Sequence, residues 1–360
     1  RTHTPFPHTF FNDSYEVSEG DWTPILLEEF KKRKGYKLEE YLPQLQNEKT
    51  ALEKNDKTPE QVIMDYRETL SDLLLENFTT TWTSWAHEHH AITRNQAHGS
   101  PANLIDLYAA VDIPEIEGFG LSDFGIKGLR KDSGYTRPNY SDLSMLKYAP
   151  SAAHITGKTF TSSETFTWLT EHFRTSLSQM KPDMDLMFIS GVNHMFFHGT
   201  AYSPKDAAWP GWKFYASIDM SPTNSIWRDA PYFLKYIQRC QSFLQWGKPD
   251  NDFLVYLPIR DMWTKDLNHK FMQFSIHNMN ERSPEFIKAV LSINAAGFDC
   301  DYISERYILS TKYVNGMLQT VGGTRYKALI ITNKNTLMAP NVRQHIEDLR
   351  AHGANITYGI

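Results

Sequence analysis

Apolar and polar positions along the chain alternate between two periods, one typical of helices and one typical of strands. Thr58-Pro59-Glu60 matches an N-cap followed by proline at the first helical position, and the helical period then continues to about His90. Residues 91–99 are a short apolar run that ends in polar residues and glycine, which predicts a strand. A helix over residues 102–110 and a strand over residues 111–117 follow.

The same order of strand and helix recurs on both sides of this stretch. The predicted strands lie near residues 9–16, 91–99, 111–117, 158–163 and 194–199, and predicted helices near residues 24–34, 58–90, 102–110, 141–156, 167–180 and 230–245 separate or follow them. Such strand-then-helix units in series indicate a parallel α/β sheet.

The position of the last strand-then-helix unit suggests how the predicted sheet fits into a barrel. If the unit closed by residues 230–245 is the eighth of a (β/α)8 TIM-like barrel, the five strands are the fourth to the eighth. The first three strands would then lie upstream of Arg1. Residues 1–248 are therefore expected to be the C-terminal half of a catalytic barrel.

A turn-rich linker at residues 247–252 ends this region. Beyond it, strands near 253–258, 299–303, 327–332 and 354–358 alternate with helices near 284–296 and 342–352. This pattern predicts a second, incomplete open-sheet α/β domain over residues 249–360, doubly wound and truncated. The region contains no GxGxxG loop, no P-loop and no nucleophile elbow.

Composition and charge argue against several classes of binding partner. The 360 residues carry a net charge of −5 with scattered Lys and Arg, so no basic stripe is available for nucleic acid. No apolar run is long enough to predict a transmembrane helix, and two cysteines make neither a disulfide framework nor a CxxC site. Aromatic residues, 13% of the chain, occur in polar stretches such as 208–212. Flat rings with polar edges suit sugar faces, although ordinary packing is their commoner role.

Catalytic groups of such a barrel lie at the carboxyl ends of its strands, so polar residues at those ends carry the most weight. Glu16 follows the predicted fourth strand together with Asp13. Glu164 ends the predicted seventh strand among small hydroxyl residues, with Trp168 close behind it. The structural alternatives are a helix-capping role for either glutamate and a solvated loop position for Glu16.

Glu115 and Glu117 are two residues apart on the predicted sixth strand, so their side chains point to the same side. Two adjacent carboxylates repel, so either one of them keeps a proton or a cation lies between them. An exposed acidic strand end, or an ion pair with Arg94 or Arg137, would also explain the pair.

The remaining strand ends offer neutral hydrogen-bonding groups for sugar hydroxyls, although core packing of one of the histidines is equally open. These residues are Asn95, Gln96 and His98 after the fifth strand, and Asn193, His194 and His198 at the eighth.

Paired carboxyl groups on opposite sides of a sugar ring are what glycoside cleavage requires. One carboxylic acid protonates the leaving oxygen, and one carboxylate attacks the anomeric carbon or activates water. Strands four and seven lie across the mouth of an eight-stranded barrel, so Glu16 and Glu164 are expected to face each other. Glu115 and Glu117 would lie beside them.

Several short runs, taken in order, resemble glycoside hydrolase family 106, the bacterial α-L-rhamnosidases. The similarity continues into the second predicted domain and covers nearly the whole chain. The runs are Asp13-Ser14-Tyr15-Glu16, Asp65-Tyr66-Arg67-Glu68-Thr69-Leu70-Ser71-Asp72, Asn95-Gln96-Ala97-His98-Gly99, Asp112-Ile113-Pro114-Glu115-Ile116-Glu117, Ala152-Ala153-His154-Ile155, Ser163-Glu164-Thr165-Phe166, Gly191-Val192-Asn193-His194 and Asp219-Met220-Ser221-Pro222.

The resemblance implies a (β/α)8 barrel followed by further domains, and calcium-assisted hydrolysis with inversion. It also implies a plant-polysaccharide or glycan substrate and a periplasmic or secreted bacterial setting. Carried over residue by residue, Glu16 and Glu164 match the catalytic acids, while Glu115 and Glu117 match carboxylates around the calcium. Which of the first two is acid and which is base stays open. The expected substrate-binding residues are Asp13, Asn95, His98, Asn193, His194, His198 and Trp168.

Two other functions compete with this one. A retaining glycosidase on the same barrel would differ in the separation of its two carboxyl groups, about 5 to 5.5 Å against roughly 6.5 to 9.5 Å for inversion. A carbohydrate-binding relative without activity would keep the barrel, although the presence of both Glu16 and Glu164 argues against it.

Overall fold

The computed structural model of the protein describes residues 5–45, 57–138, 140–267 and 269–359, so Arg1 lies outside the described residues. Its strands, numbered in chain order, are β1 (Thr9–Asn12), β2 (Ile92–Gln96), β3 (Ile113–Phe119), β4 (Leu121–Ser122), β5 (Thr136–Arg137), β6 (Ser162–Thr167), β7 (His194–Phe197), β8 (Phe253–Tyr256), β9 (Cys300–Ile303), β10 (Lys312–Val314), β11 (Met317–Gln319), β12 (Arg325–Tyr326), β13 (Ala328–Ile331) and β14 (Ile356–Tyr358).

Helices connect these strands. The α-helices are α1 (Leu26–Lys34), α2 (Leu42–Leu45), α3 (Pro59–Leu74), α4 (Thr81–Glu88), α5 (Leu104–Ala109), α6 (Leu143–Leu146), α7 (Tyr148–Thr156), α8 (Leu177–Ser190), α9 (Ala230–Trp246), α10 (Ile259–Trp263), α11 (Met279–Arg282), α12 (Pro284–Ala295), α13 (Glu305–Ile308) and α14 (Pro340–Ala351). A π-helix covers Leu75–Thr80, and 3₁₀-helices cover Leu38–Tyr41, Ser225–Arg228 and Ile276–Asn278.

A curled, five-stranded parallel sheet organises the first region. Its strand order is β1-β2-β3-β6-β7, which is the order of the strands along the chain. Successive strands therefore lie side by side, with helices as the connections between them, as in one half of a β/α barrel. The prediction of a parallel half-barrel is confirmed.

The helix predicted from residue 58 to about residue 90 is present as α3, the π-helix and α4 in one continuous run. Thr58 caps it, because the Thr58 hydroxyl accepts a hydrogen bond from the Gln61 N–H at 3.3 Å. Buried residues of α3 pack against α1, and this contact fixes the connection from β1 to β2 on the outside of the sheet.

The sequence placed the seventh strand and the helix after it too early. The strand begins at Ser162 instead of residue 158, and the region predicted as a helix at 167–180 stays irregular up to Leu177. There Ser176 and Gln179 form a capping box, so α8 begins only at this point. Glu164 consequently lies inside β6 and not at its end.

A second parallel sheet, with strand order β14-β13-β8-β9, follows the linker, and β10, β11 and β12 form a small antiparallel sheet beside it. One hydrophobic core is shared with the first region, because the Tyr148 ring on α7 lies 5.0 Å from the Tyr302 ring on β9. The division of the chain at residue 248 stays a prediction. Among the described residues, no helix is long and apolar enough to span a membrane.

Candidate active site

Glu164 is held by three hydrogen-bonding groups on the inner face of the half-barrel. Its carboxyl oxygens accept from the Gln96 side-chain amide at 2.7 Å and the Thr167 hydroxyl at 2.8 Å, and His198 Nδ1 lies 2.9 Å away. Burial raises the pKa of Glu164, but the hydrogen bonds from His198, Gln96 and Thr167 outweigh it and lower the pKa to about 2. Glu164 is therefore a carboxylate at neutral pH.

Glu117 lies beside Glu164 on the neighbouring strand, since the two residues are register partners of β3 and β6. Glu117 Oε2 is 3.0 Å from His98 Nε2. Burial, together with the charge of Glu164, raises the pKa of Glu117 to about 8, while burial lowers the pKa of His98 to about 4. Glu117 therefore holds a proton at neutral pH, and the neutral His98 ring is its partner.

Glu115 faces the same side of β3 as Glu117, as their two-residue spacing predicts, but it is already occupied. Its carboxyl group accepts hydrogen bonds from Ser162 at 2.6 Å and Gln96 at 3.1 Å, and Arg94 Nε lies 3.1 Å away. Burial raises the pKa of Glu115 and the charge of Arg94 opposes that rise. The ion pair with Arg94, left open by the sequence, is the arrangement found.

Arg94 itself lies between two aromatic rings. Its guanidinium carbon is 4.0 Å from the centre of the Phe11 ring on β1 and 3.4 Å from that of Phe196 on β7. The rings and Glu115 hold the cation in the middle of the inner face. Arg94 thus supports the floor of the cleft below Gln96 and Glu164.

Asp13 and Glu16 lie on the exposed loop that follows β1, as expected from the sequence. Within the described residues, Glu16 makes neither a hydrogen bond nor an ion pair, so the capping alternative does not apply to it. Burial and then the charges of Glu164, Glu117, Glu16 and Asp13 raise the pKa of the Tyr215 hydroxyl. These four carboxyl groups are therefore near enough to Tyr215 for their charges to act on its hydroxyl, and the space between them is the cleft of this site.

Four of the expected substrate-binding residues do not lie beside Glu164. Trp168 is fully buried in a core with Phe166, and its backbone oxygen accepts hydrogen bonds from Ser217. Asn95 points to the outer face of β2, where it accepts a hydrogen bond from Asn12 at 2.6 Å.

Asn193 and His194 lie at the opposite edge of the sheet, because they begin β7 instead of ending it. The Asn193 side chain bonds to the backbone of Thr159 and Thr161, and the His194 ring contacts Phe160. Asp13, His98 and His198 are the expected residues that the structure does bring to the cleft.

Sequence reasoning missed two parts of the site. Thr167, which donates to Glu164, was assigned to a helix. Regular alternation along β6 would also place Thr167 on the face opposite Glu164, and the positive φ of 70° at Phe166 interrupts that alternation. Tyr215 and its neighbour Phe214 lie in an irregular loop, where no periodic pattern marks them.

Calcium does not fit Glu115 and Glu117 as these side chains stand. The oxygens of Glu115 are used by Arg94, Ser162 and Gln96, and a guanidinium beside a ligand oxygen opposes a second cation. Glu117 pairs with His98. Over the described ranges, no group of three or more His, Cys, Asp and Glu side chains is placed to hold a metal ion.

Comparisons with known proteins find a family model and a curated relative that match nearly the whole chain. The family model of glycoside hydrolase family 106, described as alpha-L-rhamnosidase, matches residues 7–359. A protein of Formosa agariphila named "Putative beta-glucuronidase" is 26% identical over 348 residues, which are 96% of this chain and 26% of that protein. The chain thus spans about a quarter of the length of this curated relative.

Two solved structures share the fold. The rhamnosidase from Novosphingobium sp. PP1Y matches with a TM-score of 0.71 and 22% identity, over 96% of this chain and 30% of that chain. The beta-galactosidase from Bacillus circulans sp. alkalophilus matches with a TM-score of 0.53 and 12% identity, over 93% of this chain and 48% of that chain.

Proposed function

We propose, since the chain belongs to glycoside hydrolase family 106, the alpha-L-rhamnosidases, that its half-barrel carries the machinery for hydrolysing an α-L-rhamnoside in a plant polysaccharide or glycan. The observation that carries this proposal is the state of Glu164. Three hydrogen-bonding groups hold this carboxylate ionised on the inner face of the half-barrel, with Glu117 beside it on the next strand. A fixed carboxylate of this kind is the base or nucleophile that glycoside cleavage needs.

In the mechanism that we propose, Glu164 is the general base and Glu16 the general acid. Glu164 takes a proton from water, the oxygen of that water attacks the anomeric carbon, and Glu16 gives its proton to the leaving oxygen. The hydrogen bonds to Glu164 stabilise its charge and orient it for the attack. Glu16 lies on an exposed loop after β1, and an exposed position suits an acid that must reach the leaving group.

A retaining mechanism is favoured by one specific observation. Glu117 holds a proton and is the register partner of Glu164 on the next strand, and adjacent strands lie about 4.8 Å apart. Side chains on the same face of neighbouring strands can bring their carboxyl groups as close as the roughly 5 to 5.5 Å that retaining enzymes use. In this alternative, Glu164 is the nucleophile and Glu117 the acid.

The charge of the cleft favours a neutral sugar. The ionised Glu164 brings negative charge to it, and Arg94 is already paired with Glu115. A glucuronide would bring one more carboxylate into this environment, where like charges repel. We therefore expect an aryl α-L-rhamnoside to be cleaved and an aryl β-glucuronide to be left intact.

Leaving-group dependence tests the roles of the three glutamates. Glu164→Gln should lose activity on every aryl rhamnoside, because the base is needed whatever the leaving group. The variant of the acid should keep activity on a 2,4-dinitrophenyl rhamnoside, whose leaving group needs no proton, and lose it on poorer leaving groups. Comparing Glu16→Gln with Glu117→Gln identifies the acid, and Glu347→Gln on the surface of α14 is the matched control.

The anomer released first tests the stereochemistry. With inversion, proton NMR should show the β-anomer of rhamnose before mutarotation, whereas an initial α-anomer would support the retaining alternative. No cleavage of any glycoside by a correctly folded protein would instead indicate a carbohydrate-binding relative.

Calcium dependence and a periplasmic or secreted location remain predictions from the family resemblance. Activity that is unchanged by a chelator, by calcium added back and by Glu117→Gln would exclude the cation from the reaction. Loss with the chelator and recovery with calcium would require ligands other than the occupied Glu115.

A further inference from the structure

The loop between β7 and the buried segment at residues 216–218 presents a group of aromatic rings to solvent. The rings are between 41% and 77% exposed, and they lie within fifteen residues of one another. A concentration of exposed rings in one place is uncommon on a protein surface and marks a contact site. The rings belong to Tyr202, Trp209, Trp212, Phe214 and Tyr215.

Hydrogen bonds fix this loop at its end and in its middle. At its end, the Ser217 N–H and hydroxyl donate to the Trp168 backbone oxygen at 2.8 and 2.9 Å. In its middle, the Trp212 N–H donates to the Ser203 hydroxyl at 2.8 Å, and Gly211 has a φ of 89° that favours glycine. The backbone that carries the rings is therefore held in place, which reduces the entropy that the loop loses on binding.

The loop is continuous with the catalytic cleft through His198. The His198 ring, whose Nδ1 lies 2.9 Å from Glu164, makes edge contacts with Phe214 at 5.0 Å and Tyr215 at 5.4 Å. Farther along the loop, Trp212 contacts Tyr202 at 6.3 Å. The rings thus lead from the carboxylates outward over the surface.

Trp209 has a different position in this group. Its ring lies 6.0 Å from that of Phe173, and its indole N–H donates to the Thr223 backbone oxygen at 3.4 Å. These contacts give Trp209 a packing role. Trp212 and Tyr215, both 62% exposed, are the rings that a ligand could cover.

We propose that Trp212, Phe214 and Tyr215 form a leaving-group subsite that binds further sugar units of an oligosaccharide chain beyond the scissile bond. Aromatic faces suit the C–H faces of sugar rings, and the polar edges of Trp and Tyr suit the hydroxyls. Since the reacting sugar would lie among the carboxyl groups, rings that lead away from them contact what is attached to it. The inference rests on the proposed function and specifies its substrate as a chain of sugars.

A ratio of two activities tests this subsite. One substrate is 4-nitrophenyl α-L-rhamnoside, and the other is a rhamnose-terminated oligosaccharide of at least four units from a plant polysaccharide. In Trp212→Ala, kcat/KM on the oligosaccharide relative to the aryl substrate should fall about tenfold, because the stacking partner is lost. Trp246→Ala, which removes an 87% exposed tryptophan from the end of α9, should leave the ratio unchanged.

A binding experiment separates the subsite from the catalytic proposal. In the Glu164→Gln background, Trp212→Ala should weaken the dissociation constant for the oligosaccharide by a similar factor. If the protein cleaves the aryl rhamnoside but neither Trp212→Ala nor Tyr215→Ala moves the ratio, the subsite is wrong and the proposed function stands. If oligosaccharide binding falls without any cleavage in the unaltered protein, the proposed function fails, and the rings bind sugars without serving as a leaving-group subsite. Self-association that Trp212→Ala abolishes, with an unchanged ratio, would assign the rings to a protein contact.

Discussion

At the scale of single residues, one amide connects the two acidic parts of the cleft. Gln96 is buried, and its side-chain nitrogen donates to Glu164 at 2.7 Å and to Glu115 at 3.1 Å. Through Glu115, the same contact reaches Arg94. Gln96 thus acts on the reaction through the position and the charge of Glu164.

Gln96→Leu removes this donor and leaves the carboxylate of Glu164 with fewer partners. A hydrogen bond to a charged group contributes about 1.5 to 3 kcal/mol, so kcat/KM should fall roughly 10- to 100-fold. Because the hydrogen bond favours the ionised form, the pKa of Glu164 should rise and the acid limb of the pH profile should move to higher pH.

Asn95→Ala is the matched control for this variant. Asn95 is the neighbour of Gln96 but faces the outer side of β2, so its loss should not move the acid limb. An unshifted acid limb in Gln96→Leu would show that Gln96 does not hold the charge of Glu164.

The side of the sheet that a residue faces could be predicted from the sequence where side chains alternate regularly along a strand. The common direction of Glu115 and Glu117 followed from their spacing, and Arg94 was one of two ion-pair partners that the sequence left open. The contact of Glu117 with His98, which follows β2, needed the fold. Trp168 was misjudged because Phe166 has a positive φ of 70°. The backbone turns there without a glycine to signal it, and Trp168 enters the core.

At the scale of elements, α8 contains a buried acid that the fold leaves without a partner. Asp183 is fully buried, and among the described residues neither of its carboxyl oxygens has a hydrogen-bond partner. Burial raises its pKa from the ordinary 3.8 to about 7. The folded state therefore prefers the protonated form, and the stability that this form gives is complete below pH 3.8 and is lost as pH rises towards 7.

Asp183→Asn should remove this loss of stability at higher pH. The variant should be more stable than the unaltered protein at pH 8, by about 1 to 3 kcal/mol in urea unfolding, because no buried charge has to form. The difference should shrink at pH 5. Asp185→Asn, on the exposed side of the same helix, should show no such pH dependence, and equal stability curves for Asp183→Asn and the unaltered protein would contradict the argument.

A buried arginine joins α3 to the segment that follows α10. Arg67 is 2% exposed, and burial lowers its pKa to about 10, so it remains charged at neutral pH. Its guanidinium donates to backbone oxygens and has no carboxylate partner among the described residues. These oxygens belong to Trp263, Lys265, Asp266, His269 and Lys270.

Arg67→Lys keeps the charge but cannot reach the same set of acceptors, since an ammonium has three donors at one point. We expect a loss of about 2 to 4 kcal/mol in the free energy of unfolding, measured in urea. Arg343→Lys, at an exposed position of α14, is the control. A loss below about 0.5 kcal/mol, the size of an ordinary surface effect, would contradict this role.

Helices and strands with a clear cap or a regular apolar period were predicted from the sequence. Segments whose apolar residues fit more than one structure were not. The long helix from Thr58 and the parallel order of the five strands followed from caps and periodicity. The first part of the helix predicted at 167–180 is wrong, because Trp168 is buried in an irregular segment and α8 begins only after the Ser176 capping box. Periodicity does not distinguish these two uses of apolar residues.

At the scale of the whole molecule, α7 connects the two parallel sheets. It packs against β3 of the half-barrel and against β9 of the second sheet. The Tyr302 N–H on β9 donates to the Ser151 hydroxyl at 2.8 Å, and the Tyr302 hydroxyl donates to the Ser144 backbone oxygen at 2.8 Å. Because these contacts are buried, we expect the two regions to unfold together.

Asp301 makes this expectation testable. It is fully buried on β9, lies 2.9 Å from His154 Nδ1 on α7 and accepts from the Tyr326 hydroxyl at 2.8 Å. Burial opposes ionisation of Asp301, but His154 and the hydrogen bonds outweigh it and lower the pKa. Its stabilising effect is therefore present above the unfolded pKa and is lost as pH falls through the lower folded value.

Asp301→Asn should lower the unfolding free energy by about 3 to 5 kcal/mol at pH 7, because breaking a buried pair leaves its partner uncompensated. In calorimetry, the variant should show a single unfolding transition at a lower temperature than the unaltered protein. The difference in unfolding free energy between the two proteins should shrink towards acid pH. Well below that transition, kcat/KM should stay unchanged, since the catalytic groups lie at the opposite side of α7. Asp348→Asn on exposed α14 should move nothing. Two transitions, of which only one moves, would mean that the second region folds by itself and that the shared core does not couple it to the half-barrel.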